Sequence, residues 1–364
     1  MFVAWRDLRF ASGRFALMTG VVVLITFLVT FLSALTSGLA RESTSAIADL
    51  PADHLAFGSE EEPSFTSSQV DAAQWETLAE ADGVAQTAPL GVATTRSSVD
   101  GSTASVTVLG AEPGSFAVPD GVDLADGSVW LSPGAAEELD AGAGDTLAVA
   151  GQDLDVAGVA DTAASFSHTP VVWTTLADWQ AVGSPASTGG AGAGGGDLVA
   201  TVVALETASG ADLAGIDAEL GTTTVSRGDS LQAIGSYASE NGSLMLMQGF
   251  LYAISALVVG SFFTVWTISR SDDVAVLKAL GASTGYLLRD ALGQAAVLLL
   301  AGTVLGSGLA TLTAWAISDV MPVALGWTTT VVPVLILVVL GLLGAGLSLR
   351  RIAAVDPHAA LNAS

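Results

Sequence analysis

A run of 26 consecutive uncharged residues near the amino terminus limits what this chain can fold into more than any other feature. The run, FALMTGVVVLITFLVTFLSALTSGLA, covers residues 15–40. As a helix it would be about 39 Å long at 1.5 Å per residue, against about 30 Å for the hydrocarbon core of a bilayer. The alternative is a signal peptide cleaved near Ala40, but the apolar region of such a peptide is only about 7 to 15 residues long. We therefore expect this run to span a membrane.

Three further apolar runs have the length of a membrane span: 244–268, 291–317 and 328–349. The whole chain is 51% apolar and only 13% charged, which is too apolar for an ordinary soluble protein. The sequence thus predicts an α-helical membrane protein with four transmembrane helices in a one-plus-three arrangement. A large extracytoplasmic α/β domain is inserted between helices 1 and 2.

The distribution of charge predicts the orientation in the membrane. Basic residues concentrate on the cytoplasmic side of membrane proteins. This rule places both termini in the cytoplasm and predicts a multi-pass protein of the cell membrane. Residues 41–240 then lie outside, with 30 Asp and Glu against three Arg; this acidity argues against nucleic acid as a partner. The eight basic residues on the predicted cytoplasmic side are Arg6, Arg9, Arg14, Arg270, Lys278, Arg289, Arg350 and Arg351.

Apolar alternation inside the predicted outer domain indicates a mixture of strands and helices. Residues 130–160 read as strand, helix and two strands, and residues 170–182 read as a strand running into a helix. A strand at 198–206, a helix near 209–220 and a strand at 222–226 follow the flexible glycine-rich loop 183–196. The predicted segments are the amphipathic start 1–14, helix 1 at 15–40, the α/β domain 41–228, a helical stalk 229–243, helix 2 at 244–268, a cytoplasmic loop 269–290, helix 3 at 291–317, helix 4 at 328–349 and the cytoplasmic tail 350–364.

A short amphipathic helix is predicted in the loop between helices 2 and 3, in the stretch SDDVAVLKALGAS at 271–283. Ser271 is a good N-cap, Asp272 and Asp273 complement the positive helix start, and Gly281 suits the helix end. Val274, Leu277 and Leu280 fall on one side of this helix. Such a helix can rest on the bilayer surface or dock into a groove of a cytoplasmic partner.

Several stretches together resemble permeases of the MacB and FtsX superfamily of ABC transporters. They are RSDDVAVLKALGAS with Gln294 near the start of the next span, the one-plus-three helix arrangement and the ending RRIAAVDPHAAL. The amino-terminal WRDLRFASGRFALMTG and the small outer domain resemble the DevC and HrtB branch. The resemblance implies a coupling helix that docks on a separate ATPase subunit. Its docking residues would be Ser271, Asp272, Asp273, Val274, Leu277, Lys278, Leu280 and Gly281.

This chain lacks the motif with which it could hydrolyse ATP itself. A P-loop needs a lysine in the form G-x-x-x-x-G-K-[ST], whereas the chain's single lysine, Lys278, lies between Leu277 and Ala279. No other catalytic pattern is evident. The resemblance implies a non-catalytic permease that forms a homodimer among membrane lipids with two copies of an ATPase chain, and the ATPase binds ATP and magnesium.

Two groups of residues are candidates for a dimer seam or a substrate site. Small hydroxylated residues recur along helix 1 and suit close helix packing, either within one subunit or at a seam between two permeases; the resemblance favours the seam. A haem exporter would need soft or imidazole ligands near the outer leaflet, although methionine in an apolar helix is usually core filler. His54 and His168 have no partner at metal-ligand spacing, so the sequence predicts surface roles for them and no metal site. The seam residues are Thr26, Thr30, Ser33 and Ser37; the groups available to a substrate are Tyr237, Glu240, Met245 and Met247, with His168.

The sequence as a whole predicts an efflux-type permease that works by mechanotransmission. Its substrate would be amphiphilic or hydrophobic, such as haem, a lipid, a peptide or a drug. An alternative is a signalling subunit like FtsX, in which the same motion activates an extracellular cell-wall hydrolase. A third reading is an acidic surface domain that is only anchored by helices. Such a domain needs one span, so the other three predicted spans count against this reading.

Overall fold

The computed structural model describes residues 12–58, 62–183, 199–208, 210–269, 283–318 and 320–353. The chain divides into two compact units. We call Ala40–Asn241 the α/β unit, and Met1–Leu39 with Gly242–Ser364 the membrane unit. The predicted coupling helix, residues 271–281, lies outside the described residues, so its docking role stays a prediction.

The described helices and strands alternate through the α/β unit, and the longest helices carry the apolar runs. In chain order they are α1 (Ser12–Ala48), β1 (His54–Phe57), β2 (Val70–Asp71), α2 (Ala72–Glu80), β3 (Val84–Val99), β4 (Ser102–Ala111), β5 (Ser128–Leu131), α3 (Pro133–Leu139), β6 (Thr146–Val149), β7 (Gln152–Val159), β8 (Ser165–Phe166), β9 (Thr169–Thr175), α4 (Leu176–Gly183), β10 (Val199–Ala200), β11 (Val202–Thr207), α5 (Leu213–Leu220), β12 (Thr223–Ser226), α6 (Arg227–Ser230), α7 (Gly235–Ser269), α8 (Thr284–Ala316) and α9 (Trp327–Ala353).

Four of the described helices are long and apolar enough to cross a membrane, which confirms the four predicted spans. The candidate spans are Ala16–Ala48, Gly235–Val265, Arg289–Ala316 and Trp327–Leu347. Helix α1 extends eight residues beyond the predicted end at Ala40, as far as Ala48. An ion pair of 3.0 Å joins Arg41 and Asp49 along this extension.

Glycines bring the membrane helices into close contact. A Cβ atom added at Gly306 of α8 would lie 2.7 Å from the Cβ of Thr26 on α1, and one added at Gly302 would lie 2.6 Å from Val22. A Cβ added at Gly344 of α9 would lie 3.2 Å from the Cα of Gly260 on α7. Small residues at such crossings allow backbones to approach closely, which replaces the hydrophobic driving force that lipid does not supply.

The main sheet of the α/β unit closes on itself in part. Its strands follow the order β12-β1-β11-β3-β4-β9-β5-β7-β6, and β6 also pairs with β3, so six strands form a ring. Strand β3 is 16 residues long and takes part both in this ring and in the open end of the sheet. The pairings β4–β9 and β5–β7 are parallel, and the others are antiparallel.

Two hydrophobic cores lie on the two faces of this sheet. On β11, Val202 and Ala204 belong to one core, which we call the first core, whereas Val203 and Leu205 belong to the second core, as the two-residue period of a strand requires. Trp179 of α4 is buried in the second core.

The structure confirms the predicted strands and helices between residues 130 and 226 but adds a hairpin that the apolar pattern did not indicate. Strands β3 and β4 are joined at Asp100 and Gly101, both with positive φ. An Asp-Gly pair between two strands is a strong hairpin signal. In this sequence it is the local feature that indicates the β3–β4 hairpin. The flanking residues are mostly Ala, Thr, Ser and Gly, so the strands lack the usual apolar alternation.

Candidate functional site

The turn between β8 and β9 brings together residues of the two long helices that bound the α/β unit. The turn consists of Ser167 and His168, which both have positive φ, 51° and 63°. A two-residue hairpin turn of this type needs positive φ at both positions, and non-glycine residues adopt it at a cost. Backbone strain of this kind often marks functional positions.

The hairpin is bound to the end of α1 through its backbone. The amide of Ser167 donates to the carbonyl of Ser43 at 2.9 Å, and the amide of His168 donates to the carbonyl of Glu42 at 3.3 Å. The amide of Ser165 donates to Oγ of Ser45 at 2.9 Å, and that hydroxyl donates back to the carbonyl of Ser165 at 3.4 Å. Ser43 and Ser45 are buried. The hairpin and the last turns of α1 therefore form one hydrogen-bonded structure.

The imidazole of His168 lies between a carboxylate on α1 and a carboxylate on α7. Its Nε2 atom is 2.9 Å from Oε2 of Glu240 and 2.8 Å from Oγ of Ser43, and its Nδ1 atom is 3.7 Å from Oε2 of Glu42. An ionised carboxylate only accepts hydrogen bonds, so in this contact Nε2–H donates to Glu240. Beside it, Oγ of Ser167 donates to Oγ of Ser236 at 2.9 Å. We call His168, Glu42, Ser43 and Glu240 the His168 cluster.

A further carboxylate makes the surroundings of the His168 cluster more acidic. Burial raises the pKa of Glu138 above its usual 4.5, and the negative charges of Glu137 and Glu42 raise it further. A nearby negative charge disfavours the ionised form of a carboxyl group. The local field therefore favours a cation over an anion at this end of α1.

The cluster has the groups of a polar contact site but not the arrangement of a metal centre. In the part of the chain that the structure describes, no group of three or more His, Asp or Glu side chains could hold a metal ion. The second histidine that the sequence analysis singled out, His54, has its Nδ1 atom 3.1 Å from the hydroxyl of Thr207.

The structure brings together two of the groups predicted to be available to a substrate and places the others elsewhere. His168 and Glu240 are in contact; the sequence predicted a surface role for His168 because it has no partner at metal-ligand spacing, and that role stays a prediction. Tyr237 packs, partly buried, against the first core of the α/β unit. Met245 and Met247 belong to the membrane unit and are 64% and 51% exposed. A ligand role for any of them stays a prediction.

The predicted seam residues of α1 are largely buried inside this single chain. Thr26 and Thr30 are 0% and 2% exposed, Ser33 is also buried, and Ser37 is half-buried. Thr26 lies against Gly306 of α8. The hydroxyls of Thr26 and Thr30 have no hydrogen-bond partner within the described residues. The contact of Thr26 with α8 favours packing within one subunit at that position, and the seam stays a prediction for all four residues.

Sequence reasoning missed Glu42, Ser43, Ser167 and Ser236 as members of this site. Ser43 and His168 are 125 residues apart, and His168 and Glu240 are 72 residues apart. No local spacing connects them, because the contacts follow from the folding of the sheet between the two helices.

Comparisons with known proteins cover almost the whole chain. The family model of the FtsX-like permease C-terminal matches residues 244–357, and that of the MacB-like periplasmic core domain matches residues 15–223. The proposed hemin transport system permease protein HrtB of Staphylococcus epidermidis is 24% identical over 99% of both chains. An uncharacterised ABC transporter permease of Mycobacterium bovis is 26% identical over 98% of both chains. Among solved structures, the extracellular domain of YknZ, a noncanonic ABC-type transporter from Gram-positive bacteria, is 17% identical, with a TM-score of 0.35, covering 48% of this chain and 98% of that one.

Proposed function

Because this chain belongs to the MacB and FtsX superfamily of ABC transporter permeases, we propose that it is the membrane subunit of an efflux transporter driven by a separate ATPase chain. The proposal is supported by the extent of the similarity between this chain and other permeases. Two permeases match over 98% or 99% of their own length and of this chain. This chain therefore matches these permeases along almost their full length.

The substrate we propose is an amphiphilic or hydrophobic molecule, and haem is the first to test. The similarity to HrtB, which carries the name of a hemin transport permease, supports this choice. The four apolar runs contain no charged residue, whereas an ion pathway through a membrane usually contains ionisable residues. Tyr237, Glu240, His168, Met245 and Met247 are the groups through which this chain could contact haem.

The mechanism we propose is mechanotransmission between the two sides of the membrane. Two ATPase chains close on ATP and move the coupling helix of each permease in a homodimer. Helices α1 and α7 then carry the motion to the α/β unit. This step is supported by the continuity of both helices, since each contains a membrane-length apolar segment and residues of the α/β unit. Hydrolysis of ATP belongs to the partner chain, because the only lysine here is not in a P-loop.

The test is to purify the tagged permease from its host with its ATPase and to reconstitute both in liposomes. We expect haem to stimulate ATP hydrolysis and a deletion strain to become sensitive to haem. If haem has no effect in either assay, while a lipid, a peptide or a drug does, the substrate is one of those. Cell-division defects in the deletion strain without sensitivity to any of them would instead support an FtsX-like signalling role.

A pair of variants tests the docking of the ATPase. Leu277 lies on the apolar side of the predicted coupling helix, and Ala279 lies on the opposite side. We expect Leu277→Asp to abolish co-purification of the ATPase and Ala279→Asp to preserve it. Equal recovery of the ATPase with both variants would contradict docking through this helix.

A further inference from the structure

The β8–β9 hairpin contacts α1 and α7 in two very different ways. Three backbone amides of the hairpin, those of Ser165, Ser167 and His168, donate hydrogen bonds to α1. Within the described residues, the same hairpin contacts α7 through side chains: Ser167 with Ser236, and His168 with Glu240. The hairpin is thus built onto α1 and only touches α7.

The contact with α7 is also the more exposed of the two. The side chains of His168 and Glu240 are 31% and 41% exposed, whereas Ser43 and Ser45 on α1 are buried. A partly exposed contact between two polar side chains adds little stability, because water competes for the hydrogen bond and the side chains lose entropy. The contact with α7 can therefore break and form again without loss of the fold.

The segment of α7 that His168 holds is bounded by two glycines. Ile234, just before the helix, is buried in the first core and anchors the chain there. Gly235 and Gly242 follow, and neither has an atom within 4 Å of the position where its Cβ would be. Glycine weakens a helix and increases the freedom of its backbone. Ser236 and Glu240 lie between these two glycines, in a segment able to change direction about the anchored residue.

We propose that His168 is a positioning residue that acts as a latch between α7 and the fixed assembly of α1 with the hairpin. The latch is closed in the structure, with Nε2–H donating to Glu240 and Nδ1 facing Glu42. The latch opens in another state of the transport cycle, when the first turns of α7 move away from the hairpin. This inference rests on the proposed function, because only a chain that changes conformation in a transport cycle needs a latch here.

A reversible covalent lock tests this latch directly. The chain contains no cysteine, so Ser167→Cys with Ser236→Cys introduces one pair whose parent hydroxyls are 2.9 Å apart. A disulfide between these two positions would hold the hairpin on α7. The matched control is Thr94→Cys with Thr107→Cys, whose hydroxyls are 2.8 Å apart on the neighbouring strands β3 and β4.

The measurement is ATP turnover of the permease with its co-purified ATPase in liposomes. After oxidation we expect the Ser167/Ser236 variant to lose most of its turnover and to regain it when a reductant is added. The control variant should keep its turnover in both states. Full turnover of the oxidised Ser167/Ser236 variant, with the disulfide confirmed by mass, would overturn the latch but leave the permease proposal intact. Failure of any ATPase to co-purify with the wild-type chain would instead count against the proposed function.

A second measurement separates a latch from a merely structural contact. His168→Gln and Glu240→Gln should each change ATP turnover by about threefold, the size expected when one exposed side-chain contact is lost. The double variant should change it no further, because both substitutions break one contact. His168→Lys should restore part of the wild-type turnover, since it keeps a donor between the carboxylates. Additive effects of the two single variants would contradict the latch.

Discussion

Gly91 is a position in the α/β unit where the space for a single methyl group is already occupied. A Cβ atom there would lie 2.2 Å from the indole of Trp179, and that indole is buried between the sheet and α4. We expect Gly91→Ala to lower the stability of the α/β unit by about 1 to 3 kcal/mol, because an overpacked core forces its neighbours to shift. Thermal unfolding of the purified chain, followed by tryptophan fluorescence, measures the change. Gly142→Ala is the matched control, since nothing lies within 4 Å of its Cβ position; equal unfolding temperatures for the two variants would contradict the prediction.

Glu138 gives the α/β unit a dependence on pH with a definite sign. Burial, Glu137 and Glu42 raise the pKa of Glu138 in the folded chain above its usual 4.5. A carboxyl group whose pKa is raised in the folded chain destabilises the fold once it ionises. This loss of stability is absent at a pH below the pKa of the unfolded chain and complete at a pH above the pKa of the folded chain. We expect Glu138→Gln to unfold at a slightly higher temperature than the wild-type chain at neutral pH. The gain is small because Glu138 is only partly buried and remains exposed to solvent, and it should disappear as the pH falls below 4.5. A gain that persists in acid would show that charge is not its cause.

Individual residues of the His168 cluster could be predicted only in part. His168 and Glu240 are recognisable from the sequence as groups able to bind a ligand. Their contact with each other, and with Glu42 and Ser43, is not recognisable, because it depends on a turn at the end of a strand whose partners lie far away in the chain. The positive φ of Ser167 and His168 is also hidden in the sequence, since glycine and asparagine are the residues that usually indicate it.

The packing of α8 on α1 depends on particular glycines of α8. Gly306 faces Thr26 and the carbonyl of Val23 on α1, whereas Gly308, two residues further along, has nothing within 4 Å of its Cβ position. We expect Gly306→Leu to separate the two helices and to lower the yield and the unfolding temperature of the purified protein. Gly308→Leu introduces the same side chain on an open face and should leave both nearly unchanged. Fluorescence-detected size-exclusion chromatography after heating measures both quantities, and equal behaviour of the two variants would show that this crossing does not stabilise the fold.

Helices and strands could be predicted from the sequence where a single local sequence pattern dominates. The four spans follow from long runs without charge, and a run of this length has no stable alternative to a buried or membrane helix. The extension of α1 to Ala48 was not predicted, because Arg41 and Glu42 end the apolar run although they do not end the helix. Strands β3 and β4 were not predicted, because their many small and hydroxylated residues give no apolar alternation. The local feature that indicates this hairpin is the Asp100–Gly101 turn.

At the scale of the whole molecule, the closed part of the sheet could not be foreseen. It requires β3 to pair with β6, and β4 to pair with β9 in parallel. These pairings join strands separated by whole hairpins and helices, and such contacts leave no periodic trace in the sequence. The order of helix, α/β unit and three helices was predictable, because it depends only on where the apolar runs lie.

The orientation of the whole chain in the membrane can be tested with single cysteines, because the natural sequence has none. Lys278 lies in the loop where basic residues predict the cytoplasm, and Thr103 lies exposed on β4 of the α/β unit. We expect an impermeant maleimide to label Thr103→Cys in intact cells and to label Lys278→Cys only after the cells are made permeable. The cysteine-free wild-type chain is the control for unspecific labelling. Labelling of Lys278→Cys in intact cells would place the predicted coupling helix on the side without ATP, where no ATPase could drive this permease.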